Sequence, residues 1–220
     1  MKNNLEHIQI ILTGKFTPLS ADPLNLLAIS TLFQEFHLFP KEVMEQRIEF
    51  DSNGGQKVTL IKSLELVSPN QLSALQVRSD MLVYETNTNE LLENVFSTFI
   101  KILTKVEKQI NFDKVSRLGI VHTKQETEES IVIYKEDNKL SPEIIEHRNR
   151  IVLRKKLESI SELINFVKTS DYISKEAGAP QNILNYSYDV NTLSDKDAPR
   201  FNIIDIENFL NGASKFLLEG

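Results

Sequence analysis

The sequence predicts an α+β fold, a mostly antiparallel sheet packed by long helices. Three observations predict it. Short β-branched runs alternate with turn residues along most of the chain. Two segments, 88–110 and 202–219, carry apolar residues at helical spacing. The second half also repeats the order of the first, which points to a duplicated β-α-β-β-β-α unit.

The first half is residues 1–112. "HIQIILTGKF" (7–16) is rich in β-branched residues and reads as a strand. In the next segment Asp22 is an N-cap and Pro23 suits the first helical position. Leu26, Ile29, Phe33 and Phe36 then recur at helical spacing, so a helix ends before Pro40. "VMEQRIEF" and "KVTLIKSLELV", joined by "DSNGGQ", form a hairpin. Residues 73–85 make a third strand. The stretch 88–110 predicts one continuous helix with Leu92, Val95, Phe99, Ile102 and Val106 on one face.

The second half, 113–220, opens with the strand "VSRLGIVHTK" (115–124), with "SIVIY" (130–134) as an extra strand or hairpin arm. Ser141-Pro142 reads as a helix start over 141–149. "RIVLRKKLE", "LINFVKTSD" and "NILNYSYDVNT" read as three strands. Leu153, Leu157, Ile160, Ile164 and Val167 also fit a helical stripe over 150–168, and the match to the first half favours strands. Residues 202–219 close the chain as a helix with Ile203, Ile206, Leu210 and Phe216 facing inward. No linker separates the halves, so they are expected to share one core.

Composition narrows the function. The 220 residues carry a net charge of −6 and are 40% hydrophobic, which suits a folded chain and disfavours an extended nucleic-acid surface. With no cysteine, disulfides, thiol catalysis and cysteine zinc sites are excluded. No apolar run is long enough to cross a bilayer, and the N-terminal stretch reads as a folded strand, so the expectation is a cytoplasmic protein without membrane contact.

The candidate sites are few. A calcium loop starting at Asp51 would need Gly at its sixth position and Glu at its twelfth, where Gln56 and Lys62 stand, so "DSNGG" reads as a turn. His7, His37, His122 and His147 show no metal-ligand spacing, and no metal or cofactor is expected. Neither a Gly-x-Ser-x-Gly elbow nor a phosphate-cradling glycine loop occurs. A strand ending at Asp137 and Lys139, with Asp113 upstream, would suit magnesium-dependent phosphodiester cleavage, since carboxylates hold the metal and lysine stabilises charge. The basic cluster "EHRNRIVLRKK" puts Arg150, Arg154 and Lys156 on one face of a strand with Val152, where they could meet an acidic partner. Nucleic-acid binding through Arg148, Arg150, Arg154, Lys155 and Lys156 is a weaker reading of the same cluster. "LNYSYDVNT" puts Tyr186 and Tyr188 on one face and Ser187 and Asp189 on the other, making the tyrosines a packing or ligand-facing pair.

The order of parts, with the Arg-x-Gly element of Arg117 and Gly119 and the Asp-x-Asn strand of Asp189 and Asn191, resembles a sporadically distributed family of bacterial α+β proteins without assigned activity. The resemblance implies no catalytic residues. It points to a bacterial protein of sporadic, defence-related distribution. Gly119 reads as a bulge or a close backbone approach, Arg117 as a partner for the acidic surface, and His122 as a residue near the strand's exit. With no catalytic constellation, the leading expectation is a non-catalytic interaction protein binding another protein through a sheet face or edge. A phage-defence accessory, an immunity protein and an antitoxin all fit, and exposed sheet edges make a homodimer plausible. The alternative is the metal-dependent nuclease of Asp113, Asp137 and Lys139.

Overall fold

A computed structural model describes residues 5–50, 55–141 and 143–219. The elements run β1 (Glu6–Gly14), α1 (Pro23–Phe33), β2 (Phe39–Phe50), β3 (Gln56–Val67), β4 (Ser73–Val77), β5 (Met81–Thr88) and α2 (Leu92–Val106) in the first half. The second half runs β6 (Val115–Gln125), α3 (Glu128–Asp137), β7 (Glu146–Leu157), β8 (Glu162–Ile173), β9 (Ile183–Thr192) and α4 (Ile203–Glu219). The strands form one antiparallel sheet in the order β2-β3-β4-β5-β1-β6-β9-β8-β7. The fold is α+β, as expected.

The strand order is the same read outward from the centre. The first strands of the two halves, β1 and β6, pair with each other, and the last strand of each meander, β5 or β9, flanks them. Each half therefore contributes a strand, a helix, a meander and a closing helix. The first half has one strand more than expected. Residues 73–85 are not one strand but the hairpin β4–β5, turned at Arg78–Asp80, where the Arg78 amide donates to the Met81 carbonyl at 2.8 Å. Ser79 and Asp80 are turn formers, and the apolar residues on either side concealed them.

The second half departs from expectation in two places. "SIVIY" is helix α3, not a strand. Thr127 caps it, its hydroxyl accepting from the Ser130 amide, and Glu128 and Glu129 stand in the first turn, where the helix dipole favours them. Ile131 and Tyr134, three apart, face inward while Val132 and Ile133 stay exposed. Tertiary packing of that pair overrides the β propensity of the run. Residues 146–149, expected in a helix, begin strand β7 instead. The helical alternative for 150–168 is ruled out, since β7 and β8 pair over their whole length.

Helix α1 is capped as the sequence indicates. Asp22 accepts from the Asn25 amide at 3.0 Å, and this bond, with Ser20 adding, holds its carboxyl below the usual range. Helix α2 is shorter than expected. Thr88 still belongs to β5, and a turn follows Val106, where left-handed Asn111 ends the segment. All five residues of its predicted face are buried, with Phe96 and Leu103 beside them. The expected hairpin is β2–β3, but the turn residues 51–54, with Asp51 and its calcium reading, lie outside the described residues, as does Pro142.

Register sorts the sheet into two faces. Ile8, Ile10 and Leu12 of β1 share one face with Leu118 and Ile120 of β6 and with Leu82 and Tyr84 of β5. A single apolar cluster joins this face to α1, α2 and α4 and runs across both halves. A second, smaller cluster of Ile131, Tyr134, Tyr172 and Leu184 seats α3 on the same face. The helices thus cover one face, and the other presents the residues of opposite parity. Among these are Gln9, Glu85, Thr123, Ser187 and Asp189.

Candidate functional site

Between the two apolar clusters the helix-bearing face turns polar. Strand β8 reads Ile164, Phe166, Lys168, Ser170 and Tyr172 along this face, so a lysine and a serine interrupt a run of buried apolar side chains. Neighbouring β9 contributes Tyr188 and Tyr186, and β6 contributes His122 and Lys124. Lys124, Lys168, Ser170, Tyr186 and Tyr188 floor a cavity of about 400 Å³, walled by Glu126, by Tyr134, Asp137 and Asn138 at α3 and by Asn149 and Ile151 of β7.

Tyr186 and Tyr188 are stacked, with centroids 6.1 Å apart and planes 20° from parallel. Lys168 Nζ lies 5.0 Å from the Tyr186 centroid and 5.7 Å from that of Tyr188. Lys124 Nζ, from the strand on the other side, lies 5.7 and 5.8 Å from the same two rings. Two ammonium groups therefore converge over one aromatic pair. Burial, and then the positive charge of Lys124, holds the Lys168 ammonium below the usual lysine range. Lys124 also pairs with Glu126 at 3.0 Å. Burial pushes the Tyr188 hydroxyl up to about 12, with Glu126 and Glu6 adding to the shift, and burial also raises Tyr186. At the back of the site His122 is buried, its Nε2 2.7 Å from Glu6 Oε2, and its Nδ1 has no partner.

The residues singled out from the sequence do not form one site. Tyr186 and Tyr188 line the cavity, whereas Arg150, Arg154 and Lys156 project from the opposite face of edge strand β7. Arg148, on that same outer face, pairs with Asp171 at 3.2 Å, and Lys156 with Glu158 at 3.0 Å. Lys155 lies on the helix-bearing face, its Nζ 5.1 Å from the Phe216 ring, so the basic cluster is split between the two faces.

The nuclease constellation is also dispersed. Asp137 lines the cavity from a helix rather than a strand, and Lys139 follows in a left-handed turn. Asp113 precedes β6, and the cavity lies at that strand's far end. Nine residues of extended chain, about 30 Å, separate Val115 from Lys124. Among the described residues, no group of three His, Asp or Glu side chains could hold a metal.

The Arg-x-Gly element is structural. A Cβ on Gly119 would meet Asn191 and Ile11 at an ordinary 3.8 Å, so no close approach requires glycine there. The irregularity falls instead at Gly14, where the β1–β6 register shifts and a Cβ would come within 3.0 Å of Val115. Arg117 keeps its Nε buried without a partner, and His122 is core rather than strand exit.

A second feature lies at the β2 edge. Strand β3 pairs with β4 only over Glu65–Val67, so the rest of the β2–β3 hairpin extends past its neighbour as a two-stranded ribbon. Met44, Ile48, Val58 and Leu60 share one face of it, in line with the buried Leu64 and Leu66. All four are exposed, Met44 at 66% and Leu60 at 67%. Helix α1, beside it, has no charged residue and leaves Leu24 and Leu27 in solvent.

Together these features define a one-sided antiparallel α+β protein with a cationic-aromatic cavity and an apolar ribbon that leaves Met44, Ile48, Val58 and Leu60 exposed. No family model matches the sequence, and no curated protein matches it. Among the described residues no helix is long and apolar enough to cross a membrane.

Proposed function

We propose that the chain is a non-catalytic interaction protein that pairs with a second copy through β2 and presents its basic β7 edge to an acidic partner protein. One observation carries the reading. The ribbon alternates as a half-buried sheet does, yet nothing among the described residues covers Met44, Ile48, Val58 and Leu60. A two-stranded hairpin is marginal alone, so a covering chain stabilises it.

A second copy fits because the edge is self-complementary. Antiparallel pairing of β2 with its twin about Gln46 sets Met44 opposite Ile48 of the other copy, on the same face. This pairing satisfies both free edges and joins the two apolar ribbons. The outer face of β7 then lies at each far end of the assembly, where exposed Arg150 and Arg154 offer planar, bidentate donors to carboxylates. A defence accessory, an immunity protein or an antitoxin would each use such a surface, in keeping with the resemblance to sporadic bacterial proteins.

Sedimentation velocity at micromolar concentration tests the pairing. The expected result is twice the chain mass for the native sequence and the chain mass for Met44→Lys/Leu60→Lys. A native monomer, or a dimer unmoved by the double substitution, overturns it. An acidic partner captured by the native chain and lost on Arg150→Glu/Arg154→Glu supports the second surface. Capture unaffected by that change removes it.

A further inference from the structure

We infer that the free edge of β7 docks an extended acidic segment of a partner protein, which adds to the sheet as a further strand. The inference rests on the acidic partner proposed above and names how that partner binds. Strand β7 ends the sheet, paired with β8 alone over 12 residues with no shift in register. Its alternate N–H and C=O groups, those pointing away from β8, meet no strand among the described residues. Every residue of β7 except His147 and Leu157 is exposed.

The side chains set the chemistry of the added strand. Arg148 already holds Asp171 at 3.2 Å, and Lys156 holds Glu158 at 3.0 Å. Arg154 donates only to the Asn165 amide oxygen, at 3.4 Å, and Arg150 pairs with no carboxylate among the described residues. Two guanidiniums without a carboxylate therefore stand four residues apart on the outer face. Between them Ile151, Val152 and Leu153 are exposed on alternating faces. A strand with carboxylates four residues apart and apolar residues between them matches both guanidiniums and all three apolar positions.

Other occupants fit less well. Antiparallel pairing of β7 with its own twin about Val152 would set Arg150 opposite Arg154 and Arg148 opposite Lys156, like charges at every pair. A nucleic acid would meet the guanidiniums but has no amide ladder for the open edge. A peptide backbone supplies that ladder, and its alternate side chains supply the specificity.

Fluorescence anisotropy on the full chain tests this with a labelled, end-blocked peptide, Ser-Glu-Val-Thr-Val-Glu-Ser. The expected result is saturable binding, absent when both Glu are replaced by Lys. Arg150→Gln and Arg154→Gln should each weaken it by about tenfold. Lys156→Gln, which removes a cation already paired with Glu158, should change it by less than about threefold. Only one edge of the added strand faces β7. N-methylating the two Val amides, or instead those of Glu, Thr and Glu, should therefore abolish binding in one case and spare it in the other. Binding that survives both methylations but is lost with the arginines overturns strand addition and leaves the acidic-partner surface standing. Binding indifferent to both arginines overturns the two together. Tighter binding of an oligothymidylate, lost with the same arginines, overturns the peptide in favour of a phosphodiester chain. No saturable binding of the peptide overturns the docking site, and the arginines then guard a bare edge.

Discussion

Ile10 stands directly opposite Ile120 on the central β1–β6 pair, and both side chains are buried against the helices. Each comes from the opening strand of its half, so this pair is the seam of the molecule. One apolar cluster crosses the seam, so the two halves share their larger core. Ile10→Ala should cost about 2–5 kcal/mol, and urea unfolding should remain a single transition by both circular dichroism and hydrogen exchange. Two separate transitions would show that the halves fold independently.

Phe99 anchors α2 on the sheet. Its ring lies 5.6 Å from that of Tyr84 and is fully buried. Phe99→Ala removes the ring contact and leaves a cavity, so a loss of about 3–5 kcal/mol is expected in denaturant unfolding. Lys101 is exposed on the same helix, and Lys101→Ala should stay within about 0.5 kcal/mol. Equal losses at both positions would mean that α2 does not dock through this face.

The match of the second half to the first made β7 and β8 legible as strands where a helical stripe also fitted 150–168, and the helical stripe made α2 and α4 legible. Helix α3 was not, because "SIVIY" is β-branched and its helix rests on the Thr127 cap and on burial of Ile131 and Tyr134. The cavity was half legible. Tyr186 and Tyr188 share a strand, so their common face follows from spacing alone. Lys124 and Lys168 come from two other strands, and only the register brings them to the same rings. The Arg150, Arg154 and Lys156 face was read correctly as a face, but spacing within one strand says nothing of which side the helices cover.

His122 is 3% exposed and has a single polar partner, Glu6. Glu6→Ala leaves both ring nitrogens inside the protein without partners, an arrangement that should cost about 1–3 kcal/mol. Adding His122→Met removes the stranded polar group, so the double variant should recover part of that loss in urea titrations. A double variant less stable than Glu6→Ala alone would show that the imidazole contributes by packing on Tyr188, 6.0 Å away, and not through the carboxylate.

Tyr188 sets a limit at alkaline pH. Its hydroxyl is pushed up to about 12 by burial, reinforced by Glu126 and Glu6, while an unfolded tyrosine ionises near about 10. Between these values the unfolded chain has released a proton that the folded chain keeps. The unfolded state then binds fewer protons, and stability falls as pH rises through this window. Below about pH 10 the contribution is fully present. Lys168 works in the opposite direction, because its folded ammonium gives up its proton below the ordinary lysine range and its contribution grows as pH climbs toward that range. The phenol shift is worth about 1–2 kcal/mol once solvent in the cavity is allowed for. Urea unfolding at pH 9 and pH 11.5 reads it: the native protein should lose about that much more than Tyr188→Phe, which also removes the upward push of Tyr188 on Tyr186. Equal losses in the two proteins would place the alkaline sensitivity at another residue and leave the buried phenol without a thermodynamic role.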